Sequence, residues 1–351
     1  MKLKNFSRLL LFAFVVMCIA PSCVKEGPTG PAGTNGTNGT NGVDGSAGTV
    51  TCLACHSGTS MDQKKAEFAM SEHAVGAVAV ASEGGNPSCA RCHGSQGFIE
   101  YATLGAIAGT ITNPSAWECA TCHGLHKTFE AGDYALRFDA KPVPSNISAT
   151  YMFDFKNNSN LCVNCHQSRT AEPNIAKPGA TFAITTRIGP HHGPQGNIVA
   201  GVGFAEIAGA IAYPAAGSSK HYAGACTSCH MAPFDGTGKQ GGHSLIPSLK
   251  ACNTCHSATD KNFDHNGIQT EIAADIVILR DLLVAKGIVK ATPSTTDPTI
   301  ITYSPVANPI APMVQAQAAF NYFGLMDDRS EGVHNPPYVR ALLLNSIAAL
   351  K

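Results

Sequence analysis

The chain has 351 residues, and 24 Lys plus Arg offset 24 Asp plus Glu, so its formal net charge is zero. That balance supplies no basic face of the kind nucleic-acid binding needs, and no nucleic acid is expected as a partner. Aromatic residues make up 7% with a single Trp, thin for a large conventional core, so something other than side chains is expected to fill the interior.

The chain opens on an export signal. Lys2, Lys4 and Arg8 form a positive n-region, and residues 9–20 are an apolar run of 12, too short to span a bilayer but right for an h-region. Ala20-Pro21-Ser22-Cys23 then resembles a bacterial lipobox. Residues 1–22 are therefore read as a signal peptide, with cleavage before Cys23 and lipidation of that residue; an ordinary signal-peptidase site nearby is the alternative. Either way the mature protein leaves the cytoplasm. An outer-membrane lipoprotein is expected, on the periplasmic or cell-surface side, tethered to the membrane through its lipid anchor.

Gly27, Gly30, Gly33, Gly36, Gly39, Gly42, Gly45 and Gly48 follow at a strict period of three. This collagen-like Gly-x-y tract contains only Pro28 and Pro31 to bias it towards polyproline. A flexible stalk over residues 23–50 is the favoured reading, and a short trimerising triple helix is the alternative.

Cysteine usage decides what comes next. Twelve of the 14 Cys fall in six copies of C-x-x-C-H. They are Cys52, Cys55 and His56; Cys89, Cys92 and His93; Cys119, Cys122 and His123; Cys162, Cys165 and His166; Cys226, Cys229 and His230; and Cys252, Cys255 and His256. The two thiols of each copy suit addition to the two vinyl groups of one haem, since one helical turn presents both to the same porphyrin edge. The adjacent His then supplies one axial nitrogen to the iron. This is the attachment signature of c-type haem. Zinc bound by Cys and His is the rival, and it is disfavoured because an oxidising compartment does not keep thiolates reduced. Six covalent haem c groups are expected in a domain spanning residues 51–260. A globular chain of that size has a radius of gyration of about 17 Å, so the macrocycles must pack near one another, which suits hopping of electrons between them.

The second axial position separates a carrier from a catalyst. Eight His lie outside the motifs: His73, His126, His191, His192, His221, His243, His265 and His334. Six irons need six distal ligands, so bis-His ligation throughout is expected, because imidazole suits iron. The predicted distal set is His73, His126, His221, His243, His334 and one of His191 or His192; His265 is the weakest, and Met70 and Met231 are possible substitutes. No catalytic residue is assigned.

Predicted secondary structure is sparse and helical. Helices are expected over 63–80, 268–288 and 313–323, the last stopping at Gly324. A final helix starts from Asn335 as N-cap with Pro336 in its first turn. Residues 141–147, 189–196 and 291–312 read as loops, and residues 261–351 as a C-terminal helical segment packing on the haem domain. The expected fold class is mainly α with extensive loops, a multihaem cytochrome fold packed around a haem core with little or no β-sheet.

The six motifs, the CHGLH segment at Cys122–His126, GACTSCHMAP, GGHSL and the tail DDRSEGVHNPPYVRALL resemble the bacterial multihaem cytochrome c superfamily from roughly residue 50 to the end. That superfamily holds outer-surface electron-transfer cytochromes and ammonia-forming nitrite reductases. The resemblance implies distal roles for His243 in GGH and His334 in GVHN. The nitrite reductases carry Lys in one catalytic haem motif, whereas all six motifs here end in His. The leading expectation is an electron-transfer protein at the outer cell envelope, working with other cytochromes or quinol-linked donors and passing electrons to extracellular acceptors. The alternatives are a reductase of a small nitrogen or sulfur oxyanion at one open haem, and a homo-oligomer or conductive filament.

Overall fold

A computed structural model describes residues 52–351 except 237–238, 257–260 and 308. The export signal, Cys23 and the Gly-x-y tract lie outside the described residues.

The C-x-x-C-H segments all use one helical turn. Cys52–His56, Ala90–His93, Cys119–Cys122, Ser159–Cys162, Ala225–His230 and Leu249–Cys252 are short helices that contain or abut a motif. Two Cys three residues apart share a helix face. The motif His closes the turn by donating its amide to the carbonyl of the first Cys, at 3.1 Å for His93, 2.9 Å for His123, 3.0 Å for His166 and 2.8 Å for His256.

The helix expected over 63–80 is three pieces. Helix α1, Gly58–Phe68, is followed by Glu72–Val75 and Ala77–Glu83. The break falls at Ser71, whose hydroxyl accepts the Ala74 amide at 3.3 Å and so caps a new start. Gly76 packs against Trp117 so closely that a Cβ there would lie 2.3 Å from Trp117 Cζ3, leaving no room for a continuous side-chain-bearing helix.

Three longer helices follow in the C-terminal part: α2, Ile268–Ala285; α3, Met313–Asp328; and α4, Pro336–Leu350. Helix α3 does not stop at Gly324; it runs on to Asp328 and ends at Arg329 in the left-handed region, φ 58°. Gly324 serves close approach instead, since a Cβ there would lie 2.4 Å from Phe204 Cε1. Helix α4 starts as its sequence indicates, the Asn335 side chain accepting the Tyr338 amide. Ile272, Leu279 and Leu283 of α2, Phe320 of α3, and Leu342 and Leu343 of α4 form one core with Ile184, Ile198 and Phe204. Asn321 clamps the backbone that crosses this core: it accepts the Ala205 amide at 3.0 Å and donates to the Ala205 carbonyl at 2.8 Å. A smaller core joins Phe98, Phe138, Val143, Phe153, Phe155 and Val163 nearer the motifs.

The described strands make three two-stranded antiparallel sheets: Val143–Pro144 with Met152–Phe153, Thr181–Ala183 with Ile310–Pro312, and Val289–Pro293 with Ile301–Pro305. The last two place strands in 291–312, which the sequence alone suggests as loop. Its Thr and Ile residues alternate too briefly, between Pro residues, to register as strands without a partner. The loop expected over 189–196 likewise ends in the helix Gln195–Ala200. The class is mainly α with extensive loops. Among the described residues, no helix is long and apolar enough to cross a membrane.

Candidate functional site

Each motif His has one His from elsewhere in the chain at a ring spacing of about 6 Å. Ring centroids are 5.9 Å apart for His56 and His126, 6.4 Å for His93 and His191, and 6.3 Å for His123 and His243. They are 6.1 Å apart for His166 and His73, 6.4 Å for His230 and His334, and 6.1 Å for His256 and His221. A metal–imidazole bond is about 2 Å long and the ligating nitrogen lies about 1 Å from its ring centre, so two imidazoles across one metal have centroids about 6 Å apart. The six spacings match that geometry. His265 is different: its ring is 4.0 Å from that of His256, contact distance with no room for an ion between.

Hydrogen bonds at Nδ1 fix which nitrogen six of the paired rings offer. His123 Nδ1 donates to the Tyr134 carbonyl at 2.6 Å, His126 Nδ1 to the Asp133 carbonyl at 2.9 Å, and His221 Nδ1 to the Val333 carbonyl at 2.6 Å. His230 Nδ1 donates to the Leu245 carbonyl at 2.7 Å and His166 Nδ1 to Gln195 Oε1 at 3.1 Å. The Gln195 amide is oriented by its own donation to the Asp327 carbonyl at 3.1 Å. His334 Nδ1 donates to Asp328 Oδ1 at 2.7 Å. With Nδ1 carrying the proton, Nε2 keeps its lone pair and can ligate a metal. Burial favours the neutral ring as well. It lowers the pKa of His93, His166, His191, His230 and His243, and with the neighbouring His166 it takes His73 to about 4.

Local structure aims the non-motif rings. His126 sits in a loop tied by Asp133, whose side chain accepts the amides of Lys127 and Thr128, each at 2.6 Å. His73 rides the short helix capped by Ser71, its ring 5.4 Å from that of Trp117. His243 follows Gly241 and Gly242, both at positive φ, and its amide donates to Glu67 of α1 at 2.9 Å. A Cβ on Gly242 would lie 2.4 Å from Glu67 Oε2, so the glycine permits this approach. His191 and His192 both have positive φ, 67° and 40°. That turn sends them apart: His192 stays exposed and donates from Nδ1 to Asp327 at 3.1 Å, while His191 faces His93.

The six pairs form a connected group. His123 and His126 tie the first pair to the third along one loop. His243 of the third pair lies two residues from Leu245, the acceptor for His230 of the fifth. Val333, the acceptor for His221 of the sixth pair, precedes His334 of the fifth. Arg91 reaches from the second motif to Asn164 of the fourth at 3.3 Å, and the Cys165 thiol donates to the Arg91 carbonyl at 3.5 Å. Ser159, before the fourth motif, lies 3.1 Å from Thr227 of the fifth, hydroxyl to hydroxyl.

The residues fit haem c. Each site combines two thiols on one turn with two imidazoles held apart on opposite sides of a gap. Among the described residues no group of three or more His, Cys, Asp or Glu closes into a metal cage, so the arrangement suits a flat macrocycle better than a zinc ion. Sequence reasoning did not single out Glu67, Gln195, Asp327, Asp328 or Asp133, because their partners are remote or are backbone atoms. Only Asp328, six residues before His334 in the same tail, left a local trace.

The fold is similar to that of one solved cytochrome. The crystal structure of the outer cell wall cytochrome OcwA superposes with a TM-score of 0.51 at 18% identity, covering 82% of this chain and 50% of OcwA. The chain thus spans about half the length of that protein. No protein-family model and no curated protein sequence matches the chain.

Proposed function

We propose that the protein is an exported electron-transfer cytochrome carrying six covalent haem c groups. The observation that carries this reading is the pairing of all six motif His with non-motif His at centroid spacings of 5.9 to 6.4 Å. In it, the Cys pairs at 52 and 55, 89 and 92, 119 and 122, 162 and 165, 226 and 229, and 252 and 255 hold the groups. His56, His93, His123, His166, His230 and His256 are the proximal ligands, and His126, His191, His243, His73, His334 and His221 are their distal partners in the same order. A bound haem supplies a one-electron iron couple. The chain would supply two imidazoles per iron, six of the twelve rings oriented through Nδ1, and so leave no open coordination site for a substrate. It also keeps the six sites adjacent, which suits relay. The lipobox-like Cys23 and the Gly-x-y tract support a location at the outer envelope, where the protein would pass electrons from other cytochromes or quinol-linked donors to external acceptors.

Two measurements on the purified protein test this. Mass spectrometry of the denatured chain is expected to show six haem additions and no free thiol in the motifs. Low-temperature EPR of the oxidised protein is expected to show only low-spin iron. A high-spin signal near one haem per molecule, shifted by added nitrite or hydroxylamine, would replace the carrier reading with that of an oxyanion reductase.

A further inference from the structure

We infer that Glu67 positions His243 at the third site, the one built on Cys119, Cys122, His123 and His243, and does so from the helix that leaves the first motif. The inference rests on the ligand reading above and names a residue that acts through His243 and is no ligand itself.

Glu67 is the penultimate residue of α1, and its side chain is 1% exposed. Helix α1 continues the first motif: the Ser57 amide donates to the Leu53 carbonyl at 3.0 Å, and the Met61 amide to the Ser57 carbonyl at 3.1 Å. The helix also holds the Glu67 carboxylate. Gln63 Nε2 and Lys64 Nζ, one turn back on the same face, each donate to Oε1 at 2.9 Å, and Lys64 reaches Oε2 at 3.1 Å. Oε2 accepts the His243 amide at 2.9 Å. His243 Nδ1 lies 3.6 Å from the same oxygen, buried and with no hydrogen-bond partner among the described residues. Other ties hold the neighbours of His243: the Gly242 amide donates to the Ala232 carbonyl at 2.7 Å, and the Ser244 hydroxyl to the Gly241 carbonyl at 2.7 Å.

A ring on such a loop needs an anchor of its own. Gly241 and Gly242 have φ of 77° and 56°, and glycine gives up more backbone freedom on ordering than any other residue. An amide bonded to a carboxylate is held roughly twice as strongly as one bonded to a neutral acceptor. Gly242 lets the carboxylate in, since a Cβ there would lie 2.4 Å from Oε2. His126, paired with His56 of the first motif, lies on the loop that follows the third motif. The first and third sites therefore support each other. The third motif's loop presents His126 to the first site, and the first motif's helix presents Glu67 to the distal ring of the third.

The test is low-temperature EPR of the oxidised full-length holoprotein, with carbon monoxide uptake by the dithionite-reduced protein as a second readout. Glu67→Ala is expected to retain six haems by mass, to show one high-spin haem per molecule and to bind one carbon monoxide, against none for the unaltered protein. Glu67→Gln keeps an oxygen for the His243 amide and is expected to restore six low-spin haems. Combining Glu67→Ala with His243→Ala is expected to show the same single high-spin haem, because both changes open one site. Six low-spin haems in Glu67→Ala overturn the inference, as do two high-spin haems in the double variant or a failure of Glu67→Gln to restore the low-spin state. If Glu67→Ala does not fold, Gly242→Ala takes its place: it drives a methyl against the carboxylate and is expected to open the same site, and six low-spin haems there overturn the inference. Six low-spin haems in His243→Ala alone overturn the ligand reading instead.

Discussion

An imidazole ligates through Nε2 when its Nδ1 proton has a partner, and the acceptors found here do that work mostly with backbone carbonyls. Such acceptors are insensitive to substitution of their own side chains, whereas the rings themselves are not. His243→Ala is expected to convert one low-spin haem to high-spin, as water takes the vacated position, and to shift that haem's potential. His192→Ala and His265→Ala are expected to leave all six low-spin by EPR. The first turns away to Asp327, and the second lies 4.0 Å from His256, too near to share an iron with it from the opposite side. A high-spin signal in either of these variants would require a different distal set.

At the scale of elements, the longer C-terminal helices supply conventional packing and the motif turns carry the paired thiols proposed for attachment. Helix α3 links the two roles: its Asn321 and Phe320 lie in the core, and its last two residues reach His192 and His334. Gly324 sets how closely that helix approaches Phe204. Gly324→Ala places a methyl 2.4 Å from Phe204 Cε1, a clash with a ring buried in the core. Overpacking of this kind typically costs about 1–3 kcal/mol. Thermal denaturation of the holoprotein is expected to show the loss, with haem content unchanged. An unaltered melting temperature would mean that Phe204 can move aside freely.

At the scale of the whole molecule, the larger apolar core gathers residues from 184–207 and 272–350, outside all six motifs, and includes none of the paired rings. The interior near the motifs is lined by imidazoles, thiols and a smaller aromatic cluster, the arrangement expected when macrocycles complete the packing. The proposed stalk and anchor belong to this scale too. Cys23→Ala is expected to move the protein from the membrane fraction to the soluble fraction of cells with its haem content intact. Unchanged fractionation would remove the lipid anchor from the proposal.

The sequence by itself determined the local geometry of the six motifs, because C-x-x-C-H is a local pattern: both thiols and the imidazole that follows them sit within one turn whatever surrounds it. It also determined the fold class, the start of α4 at Asn335 and most of α2, where capping and periodicity act over a few residues. The tertiary structure decided everything that depends on distant backbone. It broke the 63–80 helix at Ser71, extended α3 past Gly324, paired strands within 291–312, and turned His191 rather than His192 towards His93. It also set which non-motif ring faces which motif ring, since His73 meets His166 and His243 meets His123 across long stretches of chain. Such pairings follow from how the helices and loops pack, and no spacing in the sequence encodes them.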